Sequence, residues 1–454
     1  MTLAELASLR LAILGFGREG QACQGVLQAH GLSHSPTVWT ESGPTPDTDC
    51  ARVEAFDDRL ADFDVVIRSP GIPDTHPALE GYRARGGRVV NPSSIWFAER
   101  PEVPVIGVTG SKGKSTTTAL LGHLLQAMGQ HVVVAGNIGE PLVGLLARPD
   151  CETLDGVVAE LSSFQLTDVV GRLRLGIITR LFPEHTDWHG GVAPYYAAKA
   201  RLFDLADPNP VLVNAADPVL MAAYAGRANL YPCHPTRPDP AAPIVHDGHR
   251  IMAESDVWIE AEALPLPGRH NLDNAVMALS AVATLGLDAH IASQALADFT
   301  PLAHRLEVVH QTASAVWIND SIATSPHATR AALEALIDRD VVLIVGGQDR
   351  GGDWAVVMEH LQSHPIKALV TLPECGPAIA QTLSDAGVIS PARISQARDM
   401  GEAVAQADDW ARQSPRAAPV AVLLSPGSPS FGQFSDFEDR GRQFVKAVTA
   451  YCSR

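Results

Sequence analysis

The stretch Val105-Ile-Gly-Val-Thr-Gly-Ser-Lys-Gly-Lys-Ser115 decides the fold of this chain. Its apolar start predicts a buried strand, its glycines predict a turn, and the pattern that runs on to about Met128 predicts a helix. A strand, a glycine-rich turn and a helix in this order are typical of a phosphate loop, because backbone N–H groups and the helix N-terminus then face the same anion. The stretch therefore predicts a parallel α/β sheet with a phosphate site at its carboxyl edge.

The residue types of this loop favour a nucleotide over a simple anion. Lys114 can reach the β- and γ-phosphates, and Ser115 can supply a hydroxyl ligand to Mg²⁺. The standard pattern has a glycine six residues before the lysine, where this chain has Val108, so the match is to a variant loop. A plain turn between a strand and a helix is the alternative interpretation.

Strand-like apolar runs alternate with helical patterns on both sides of the loop. This alternation predicts parallel sheets covered by helices on both faces. We expect three α/β domains: a Rossmann-like domain at 1–100, a central P-loop domain at 101–298 and a second Rossmann-like domain at 299–454. Residues 231–267 are rich in turn formers and predict loops with short strands. The predicted strands are 11–14, 64–67, 87–90, 105–108, 132–135, 156–159, 176–179, 211–214, 316–319, 341–345, 367–371 and 420–424.

Composition excludes several classes of protein. The 454 residues include 34 Lys and Arg against 51 Asp and Glu, a formal net charge of −17. Such a balance argues against a nucleic-acid partner or an anionic membrane surface. No apolar run approaches the roughly 20 residues of a membrane span, and the N-terminus lacks the basic region of a signal peptide. The six cysteines form no Cys-x-x-Cys pair. We expect a cytoplasmic monomer with reduced thiols.

Carboxylate and imidazole groups follow two of the predicted strands. Glu160 ends the run 156–160, and Phe182-Pro-Glu-His185-Thr-Asp187-Trp-His189 follows the run 176–179. The carboxyl ends of parallel strands share one edge of a sheet, so these groups would lie beside the phosphate loop. Either a single Glu or a single His here could be structural. Two His and two acids at one strand end favour a catalytic or metal-binding role.

The first block carries a second glycine motif, Gly15-Phe16-Gly17-Arg18-Glu-Gly20, after the strand at 11–14. Ser69, Pro70 and Gly71 follow the next predicted strand and would lie at the same edge. The glycine motif fits a dinucleotide fingerprint, which also requires an acid about 20 residues further on. Glu41 could fill that position, so an NAD site stays open on the residues alone.

Further motifs occur in a fixed order along the chain. They are Thr109-Gly-Ser-Lys-Gly-Lys-Ser115, Gly136-Asn137-Ile-Gly139, Glu160-Leu-Ser-Ser-Phe-Gln165, Pro183-Glu-His185-Thr-Asp187, Lys199, Gly268-Arg-His-Asn271-Leu-Asp-Asn274, His304-Arg305, Asn319-Asp320-Ser321 and Ser425-Pro-Gly-Ser-Pro-Ser430 with Phe437-Glu-Asp-Arg-Gly441. Over nearly the whole chain, this set resembles the Mur ligase family of peptidoglycan synthesis. The resemblance implies an ATP-dependent ligase that adds glutamate to UDP-N-acetylmuramoyl-L-alanine through an acyl phosphate, releasing ADP and phosphate.

The resemblance also implies roles for individual residues. It makes Lys114, Glu160, His185 and Lys199 catalytic, and it implies that Ser115, Glu160, His185 and a carbamylated Lys199 hold two Mg²⁺ ions. Without it, Lys199 would be interpreted as a surface lysine on the helix after Tyr195-Tyr196. The implied ATP contacts are Gly110, Ser111, Lys112, Gly113, Lys114, Ser115, Thr116, Asn271, Asn274, Arg305 and Asp320. The implied UDP-substrate contacts are Gly15, Phe16, Gly17, Arg18, Ser69, Pro70, Gly71 and Asn137. The implied glutamate contacts are Thr324, Arg350, Ser430 and Phe437.

The chain departs from the common D-glutamate-adding pattern after Asp320-Ser321. Those enzymes carry a Lys there, and this chain has Ile322. With Gly346-Gly-Gln-Asp-Arg350, the segment is more similar to the branch of the family that adds L-glutamate and relies on a separate epimerase. Addition of D-glutamate remains the alternative.

Two other classes share part of the pattern. A folylpolyglutamate-type ligase has the same central domain but lacks the glycine fingerprint of the first block. A nucleotide-binding regulator without catalysis would not need Glu160, His185 and Lys199 together. Phosphate release that depends on substrate separates an enzyme from such a regulator.

Overall fold

The computed structural model describes residues 1–41, 50–52, 55–239, 242–266, 268–349, 353–413, 418–430 and 432–453. The chain divides into two compact units, one of residues 1–264 with 271–299 and one of residues 265–270 with 300–454. The α/β class with parallel sheets is confirmed. The three domains at 1–100, 101–298 and 299–454 stay a prediction.

The first sheet of the first unit is parallel, and among the described residues it has five strands in the order β3-β2-β1-β4-β5. The neighbouring strands β1 and β4 are apolar and buried. The strand order reverses between them, and the loops at such a point of a parallel sheet form ligand clefts. The strands are β1 (Leu11–Leu14), β2 (Thr37–Thr40), β3 (Cys50–Arg52), β4 (Val65–Arg68) and β5 (Arg88–Val90), and the helices are α1 (Leu3–Leu6), α2 (Arg18–His30), α3 (Pro77–Ala84) and α4 (Pro92–Glu99).

The second sheet carries the phosphate-loop sequence on its central strand. Its six described strands are all parallel, in the order β11-β10-β9-β6-β8-β7. Its inner strands are continuous apolar runs because helices cover both faces. The strands are β6 (Val105–Thr109), β7 (Val132–Gly136), β8 (Gly156–Glu160), β9 (Leu175–Ile178), β10 (Val211–Asn214) and β11 (Leu230–Cys233), and the helices are α5 (Lys114–Ala127), α6 (Ser163–Leu166), α7 (Thr186–His189), α8 (Val192–Ala206) and α9 (Pro218–Ala223).

A small antiparallel sheet follows in the segment that the sequence assigned to loops and short strands. It consists of β12 (Ile244–His246), β13 (Arg250–Ala253) and β14 (Asp256–Glu260). The helices α10 (Arg269–Thr284) and α11 (Ala289–Ser293) come next. Nearly all of the middle of α10 is buried, which fixes the side chains near its N-terminus.

The second unit contains another α/β sheet, with six strands within its described part in the order β15-β16-β20-β17-β18-β19. The edge strand β15 is antiparallel and was not predicted, because its half-exposed residues lack an apolar run. Two apolar clusters cover the two faces of the sheet. The strands are β15 (Glu307–Gln311), β16 (Ala315–Asn319), β17 (Val341–Gly347), β18 (Ala368–Glu374), β19 (Ile394–Gln396) and β20 (Val420–Leu424), and the helices are α12 (Pro326–Ala335), α13 (Ala355–Ser363), α14 (Gly376–Asp385), α15 (Met400–Arg412) and α16 (Phe437–Cys452).

The sequence predicts that the chain has no membrane span and that its thiols are reduced. In the ranges that the structure describes, no helix is both long enough and apolar enough to cross a membrane. Cys23, Cys151, Cys233 and Cys375 are buried free thiols, and Cys452 is a half-buried one.

Candidate active site

The predicted phosphate loop connects β6 to α5 in a conformation that requires glycine. Gly110 and Gly113 have φ values of +143° and +90°. A Cβ atom at Gly110 would lie 2.2 Å from Thr179 Oγ1. Lys114 begins α5, and its Nζ donates a hydrogen bond to the carbonyl oxygen of Ser111 at 2.9 Å. The loop thus has the backbone freedom and the cation that a phosphate site needs.

The loop that follows β9 holds the phosphate loop in place. The backbone N–H of Ser111 donates to Arg180 O at 2.6 Å, and the Ser111 hydroxyl donates to Phe182 O at 2.7 Å. The same hydroxyl oxygen lies 2.9 Å from the hydroxyl of Tyr195 on α8. Thr179 Oγ1 donates to Lys112 O at 2.6 Å. These bonds preorganise the loop, which lowers the cost of ordering it around a ligand.

Glu160 lies beside the phosphate loop, as the sequence predicted. It is the last residue of β8, between β6 and β7, and is 1% exposed. Its Oε1 accepts a hydrogen bond of 2.7 Å from Asn137 Nδ2. Its Oε2 is buried and has no hydrogen-bond partner among the described residues. A buried carboxylate oxygen without a donor is costly, and a cation at this position would remove that cost.

Lys199 is buried on α8 with 1% exposure, so the interpretation as a surface lysine is wrong. Its Nζ donates to Gly110 O at 2.6 Å and lies 4.8 Å from the centre of the Tyr195 ring. Burial, reinforced by repulsion from Lys114, puts the pKa of Lys199 well below its usual value. A lower pKa increases the fraction of Lys199 present as the free amine, the nucleophilic form that reacts with carbon dioxide.

The segment that carries His185 packs on the SSFQ sequence through aromatic contacts. The ring of Phe164 on α6 lies 5.0 Å from that of His185 and 4.5 Å from that of Trp188. Desolvation lowers the pKa of His185, and Lys114 and Lys199 add to this effect. Burial, with repulsion from Lys199 and His185, lowers the pKa of His189 to about 4. Both imidazoles are therefore expected to be neutral at pH 7, the form that can bind a metal.

The fit of these residues to Mg²⁺ is partial. Among the described residues, no three His, Cys, Asp or Glu side chains cluster closely enough to hold a metal ion. The unpartnered oxygen of Glu160 fits one hard cation, with the hydroxyl of Ser115 in the first turn of α5 as a further oxygen donor. Lys199 as an ammonium group would repel the ion and fits only after conversion to an anion.

Helix α10 places Asn271 and Asn274 against the phosphate loop. Asn274 Nδ2 donates to Asn271 Oδ1 at 3.1 Å, and a Cβ atom at Gly113 would lie 2.6 Å from Asn274 Oδ1. Between them, Asp273 accepts a hydrogen bond of 2.5 Å from Arg180. The buried His246 of β12 lies 2.8 Å from the other oxygen of Asp273. This group, which was not predicted from the sequence, connects α10 to the end of β9 through Arg180 and Asp273.

The residues predicted to contact the UDP substrate converge at one edge of the first sheet. Ser69 Oγ donates to Gly15 O at 3.0 Å, which joins the loops after β4 and β1. Arg18 donates to Asn137 O at 3.4 Å and also bonds to Gly139 O. The Glu41 carboxylate, which the NAD alternative would use for ribose, accepts the N–H of Phe56 at 2.6 Å. The structure thus brings Asn137 of the second sheet to the glycine loop of the first.

A buried ion pair that the sequence analysis missed connects these two sheets. The fully buried Arg68 of β4 bonds to both carboxylate oxygens of Asp168, at 2.9 and 2.6 Å. Arg68 also donates to Pro70 O at 3.3 Å, and Asn91 Nδ2 donates to Asp168 at 2.7 Å. A charged residue that directly follows the apolar run 65–67 was the available signal. The pair fixes the loop at Ser69 relative to α6.

We expect Asp168→Ala to lower the free energy of unfolding by about 3–5 kcal/mol, because it removes the two short contacts of the buried Arg68 guanidinium with a carboxylate and leaves a longer ion pair with Asp74 at 3.9 Å. Urea denaturation measures this change. The matched control is Asp64→Ala, which breaks an exposed Arg–Asp pair with Arg10 and should change stability far less. Equal effects of the two substitutions would contradict the assigned importance of the buried pair.

In the second unit, two residues with positive φ flank Arg305. They are His304 at +63° and Leu306 at +45°, a backbone conformation that non-glycine residues rarely adopt. Asp320, just after β16, accepts the N–H of Leu306 at 3.2 Å and the hydroxyl of Ser425 at 2.9 Å. Arg305 and Asp320 therefore belong to one local structure.

The residues predicted to contact glutamate follow the strands of the second unit. Thr324 is exposed after β16, Ser430 is buried after β20, and Phe437 begins α16. Phe437 O accepts a hydrogen bond of 2.7 Å from Ser321 Oγ. Arg350 lies outside the described residues. All roles assigned to individual site residues remain predictions.

The phosphate loop at the carboxyl edge of a parallel sheet, with Glu160 and Lys199 beside it, defines a P-loop α/β protein. The model of the Mur ligase middle domain matches residues 108–282, and that of the Mur ligase glutamate ligase domain matches residues 304–425. Together these matches cover more than half of the chain. The chain belongs to the Mur ligase family, and it is a ligase.

Curated relatives match over almost their whole length. A UDP-N-acetylmuramoyl-L-alanine--L-glutamate ligase from a Micromonospora species is 38% identical, with 99% of this chain and 98% of the relative covered. An enzyme of the same name from Xanthomonas oryzae pv. oryzae is 35% identical, with 98% and 96% covered.

Solved structures show the same fold at low sequence identity. UDP-N-acetylmuramate-alanine ligase MurC from Thermotoga maritima matches with a TM-score of 0.59 at 18% identity. The match covers 98% of this chain and 100% of the MurC chain. MurF ligase from Thermotoga maritima, solved in complex with ADP, has a TM-score of 0.57 at 15% identity, with 99% and 97% covered.

Proposed function

We propose that this ligase uses ATP to add glutamate, with L-glutamate preferred, to UDP-N-acetylmuramoyl-L-alanine in cytoplasmic peptidoglycan precursor synthesis. The observation that carries the proposal is the convergence at one sheet edge of the phosphate loop, the partnerless oxygen of Glu160 and the buried amine of Lys199. The names of the full-length relatives support the substrates.

The proposed reaction has two steps. The alanyl carboxylate attacks the γ-phosphorus of ATP, which gives an acyl phosphate and ADP. The glutamate amine, as the free base, attacks the acyl carbon, and the tetrahedral adduct loses one amine proton and expels phosphate to leave the amide. Such chemistry depends on positioning and charge neutralisation more than on covalent participation of the protein. Lys114 and the N–H groups of residues 110–115 would neutralise negative charge on the transferred phosphoryl group.

Two Mg²⁺ ions are part of the proposal. Ser115 and Glu160 would hold one, and His185 with the carbamate of Lys199 would hold the other. The carbamate forms when the free amine of Lys199 adds to carbon dioxide and loses one proton, which changes a neutral group into an anion. When bound, Mg²⁺ supplies Lewis-acid stabilisation of charge on the phosphoryl oxygens.

The experiment that separates this enzyme from a nucleotide-binding regulator is phosphate release with substrates omitted one at a time. We expect rapid release only when ATP, Mg²⁺, UDP-N-acetylmuramoyl-L-alanine and glutamate are all present. Tight ATP binding with no increase in phosphate release on adding the two other substrates would contradict catalysis.

The preference for L-glutamate rests on Ile322. This residue is half-buried and lies after β16. Its N–H donates to His304 O at 3.1 Å, and this hydrogen bond fixes the backbone that carries its side chain. The enantiomers carry the same charged groups, so selection depends on where cations and donors lie relative to the acyl carbon. A carboxylate left unpaired costs several kcal/mol, which corresponds to discrimination of roughly 10³-fold.

We expect Ile322→Lys to lower kcat/KM for L-glutamate roughly tenfold, because it places a new cation where the site has an apolar group. Steady-state kinetics with L-glutamate as the varied substrate measures the effect. Ile337→Lys is the matched control, since Ile337 is 49% exposed. If Ile322→Lys behaves like the control, Ile322 does not contribute to glutamate selection.

Two further parts of the proposal concern partners. If the product carries L-glutamate, a separate epimerase would be its functional partner. We also propose that the ligase acts as a monomer, which sedimentation at working concentration would test.

A further inference from the structure

A buried cation in the second unit has no part in the chemistry described so far. The side chain of Arg440, in the first turn of α16, is 0% exposed. Burial lowers the pKa of Arg440 to about 10, and Cys375 is the group that opposes this shift. In the described part of the chain, no Asp or Glu forms an ion pair with it. A buried charge without a counter-charge destabilises the fold unless dipoles or a ligand compensate it.

The partners of Arg440 come from three adjacent strand ends. Its Nε donates to Ser321 Oγ at 3.0 Å and its Nη2 to Ser321 O at 2.8 Å, after β16. Its Nη1 donates to Ser428 O at 2.9 Å, after β20, and to Gly346 O at 3.4 Å, near the end of β17. These strands are neighbours in the sheet order β16-β20-β17. One planar guanidinium therefore connects three loops, which the point charge of a lysine cannot do.

The same loops carry the residues predicted to contact glutamate. Thr324 follows Ser321 by three residues, and Ser430 follows Ser428 by two. Phe437 precedes Arg440 by one helical turn, and its carbonyl oxygen accepts the hydroxyl of Ser321 at 2.7 Å. Ser321 is thus held from both sides by α16. Arg440 fixes the relative positions of these loops without belonging to the predicted contacts itself.

We propose that Arg440 is the positioning residue of the glutamate pocket. It holds the three loops in the arrangement that receives glutamate, through the four hydrogen bonds that it donates to Ser321, Gly346 and Ser428. The proposal rests on the proposed function. Arg440 would then affect glutamate binding and not the formation of the acyl phosphate, because that step needs ATP and the UDP substrate but no glutamate.

The test compares Arg440→Lys and Arg440→Met with Arg442→Lys and Arg442→Met. Arg442 lies on the same helix with an exposed side chain, so its variants control for the loss of one arginine. Two rates are measured in each variant. The first is ligation as a function of glutamate concentration. The second is hydroxamate formation from ATP, UDP-N-acetylmuramoyl-L-alanine and hydroxylamine, without glutamate, in which hydroxylamine attacks the acyl phosphate and phosphate leaves.

We expect KM for glutamate to rise about tenfold in Arg440→Lys and about 100-fold in Arg440→Met, with hydroxamate formation within about twofold of the unmodified enzyme. An unchanged glutamate KM in folded Arg440→Lys would overturn the proposal. Parallel loss of both rates in that variant would also overturn it, since a purely structural role predicts that result. If Arg440→Met does not fold, the lysine variant decides. Failure of the unmodified enzyme and both Arg442 variants to ligate glutamate would instead refute the proposed function, and this proposal with it.

Discussion

Replacing Lys114 with alanine is expected to lower kcat for ligation by roughly 10³-fold or more while leaving the protein folded. Lys114 is the first residue of α5, and its Nζ already lies over the loop, 2.9 Å from Ser111 O. At that place the ammonium group would offset negative charge that develops on the phosphoryl group in the transition state. No hydrophobic contact of the core depends on it, so the thermal transition should be nearly unchanged.

Coupled measurement of ADP and phosphate release tests this expectation, with thermal denaturation as the test of folding. The matched control is Lys446→Ala, which removes an exposed lysine on α16. Turnover in folded Lys114→Ala close to that of the control would remove the phosphate loop from the proposed mechanism.

Replacing Lys199 with alanine is expected to give a nearly inactive ligase that short carboxylates such as acetate partly restore. The amine is buried, 2.6 Å from Gly110 O, and Lys114 is close enough to depress its pKa. Two unmodified ammonium groups beside a triphosphate and Mg²⁺ would leave the second ion without an anionic ligand. A carbamate supplies that ligand, and acetate in the space left by the shortened side chain is the simplest substitute.

Activity of Lys199→Ala is measured with and without acetate, with chloride at equal ionic strength as the salt control. Partial recovery with acetate alone supports the carbamate. Full activity without any additive would exclude Lys199 from the mechanism. Loss of activity that acetate cannot restore, in a folded variant, would leave the lysine important but argue against the carbamate.

The sequence predicted the elements and residues whose signals are local. The phosphate loop, the strand ending at Glu160 and the glycine loop at Gly15 each depend on a few adjacent residues. The phosphate loop and Glu160 meet at one edge of the second sheet because parallel neighbouring strands share their carboxyl ends. Comparison with a known family then supplied roles that spacing alone could not.

Long-range partners could not be predicted in the same way. Arg68 and Asp168 are 100 positions apart, and Arg440 and Ser321 are 119 apart. The apolar run 65–67 is the local signal for Arg68, but nothing near Arg440 in sequence indicates that its side chain is buried. The burial of Lys199 likewise depends on how α8 packs under the phosphate loop. The edge strand β15 was missed because exposure on both faces removes the apolar pattern that identifies strands.

The most direct test of the account is ligation by the purified enzyme with ATP, Mg²⁺ and UDP-N-acetylmuramoyl-L-alanine, using L- or D-glutamate in separate reactions and chiral analysis of the glutamyl residue in the product. We expect a dipeptide product that contains L-glutamate, with kcat/KM for L-glutamate roughly 10³-fold above that for D-glutamate. A kcat/KM for D-glutamate above that for L-glutamate would contradict the stereochemical assignment. Failure to form either product would contradict the proposed reaction itself.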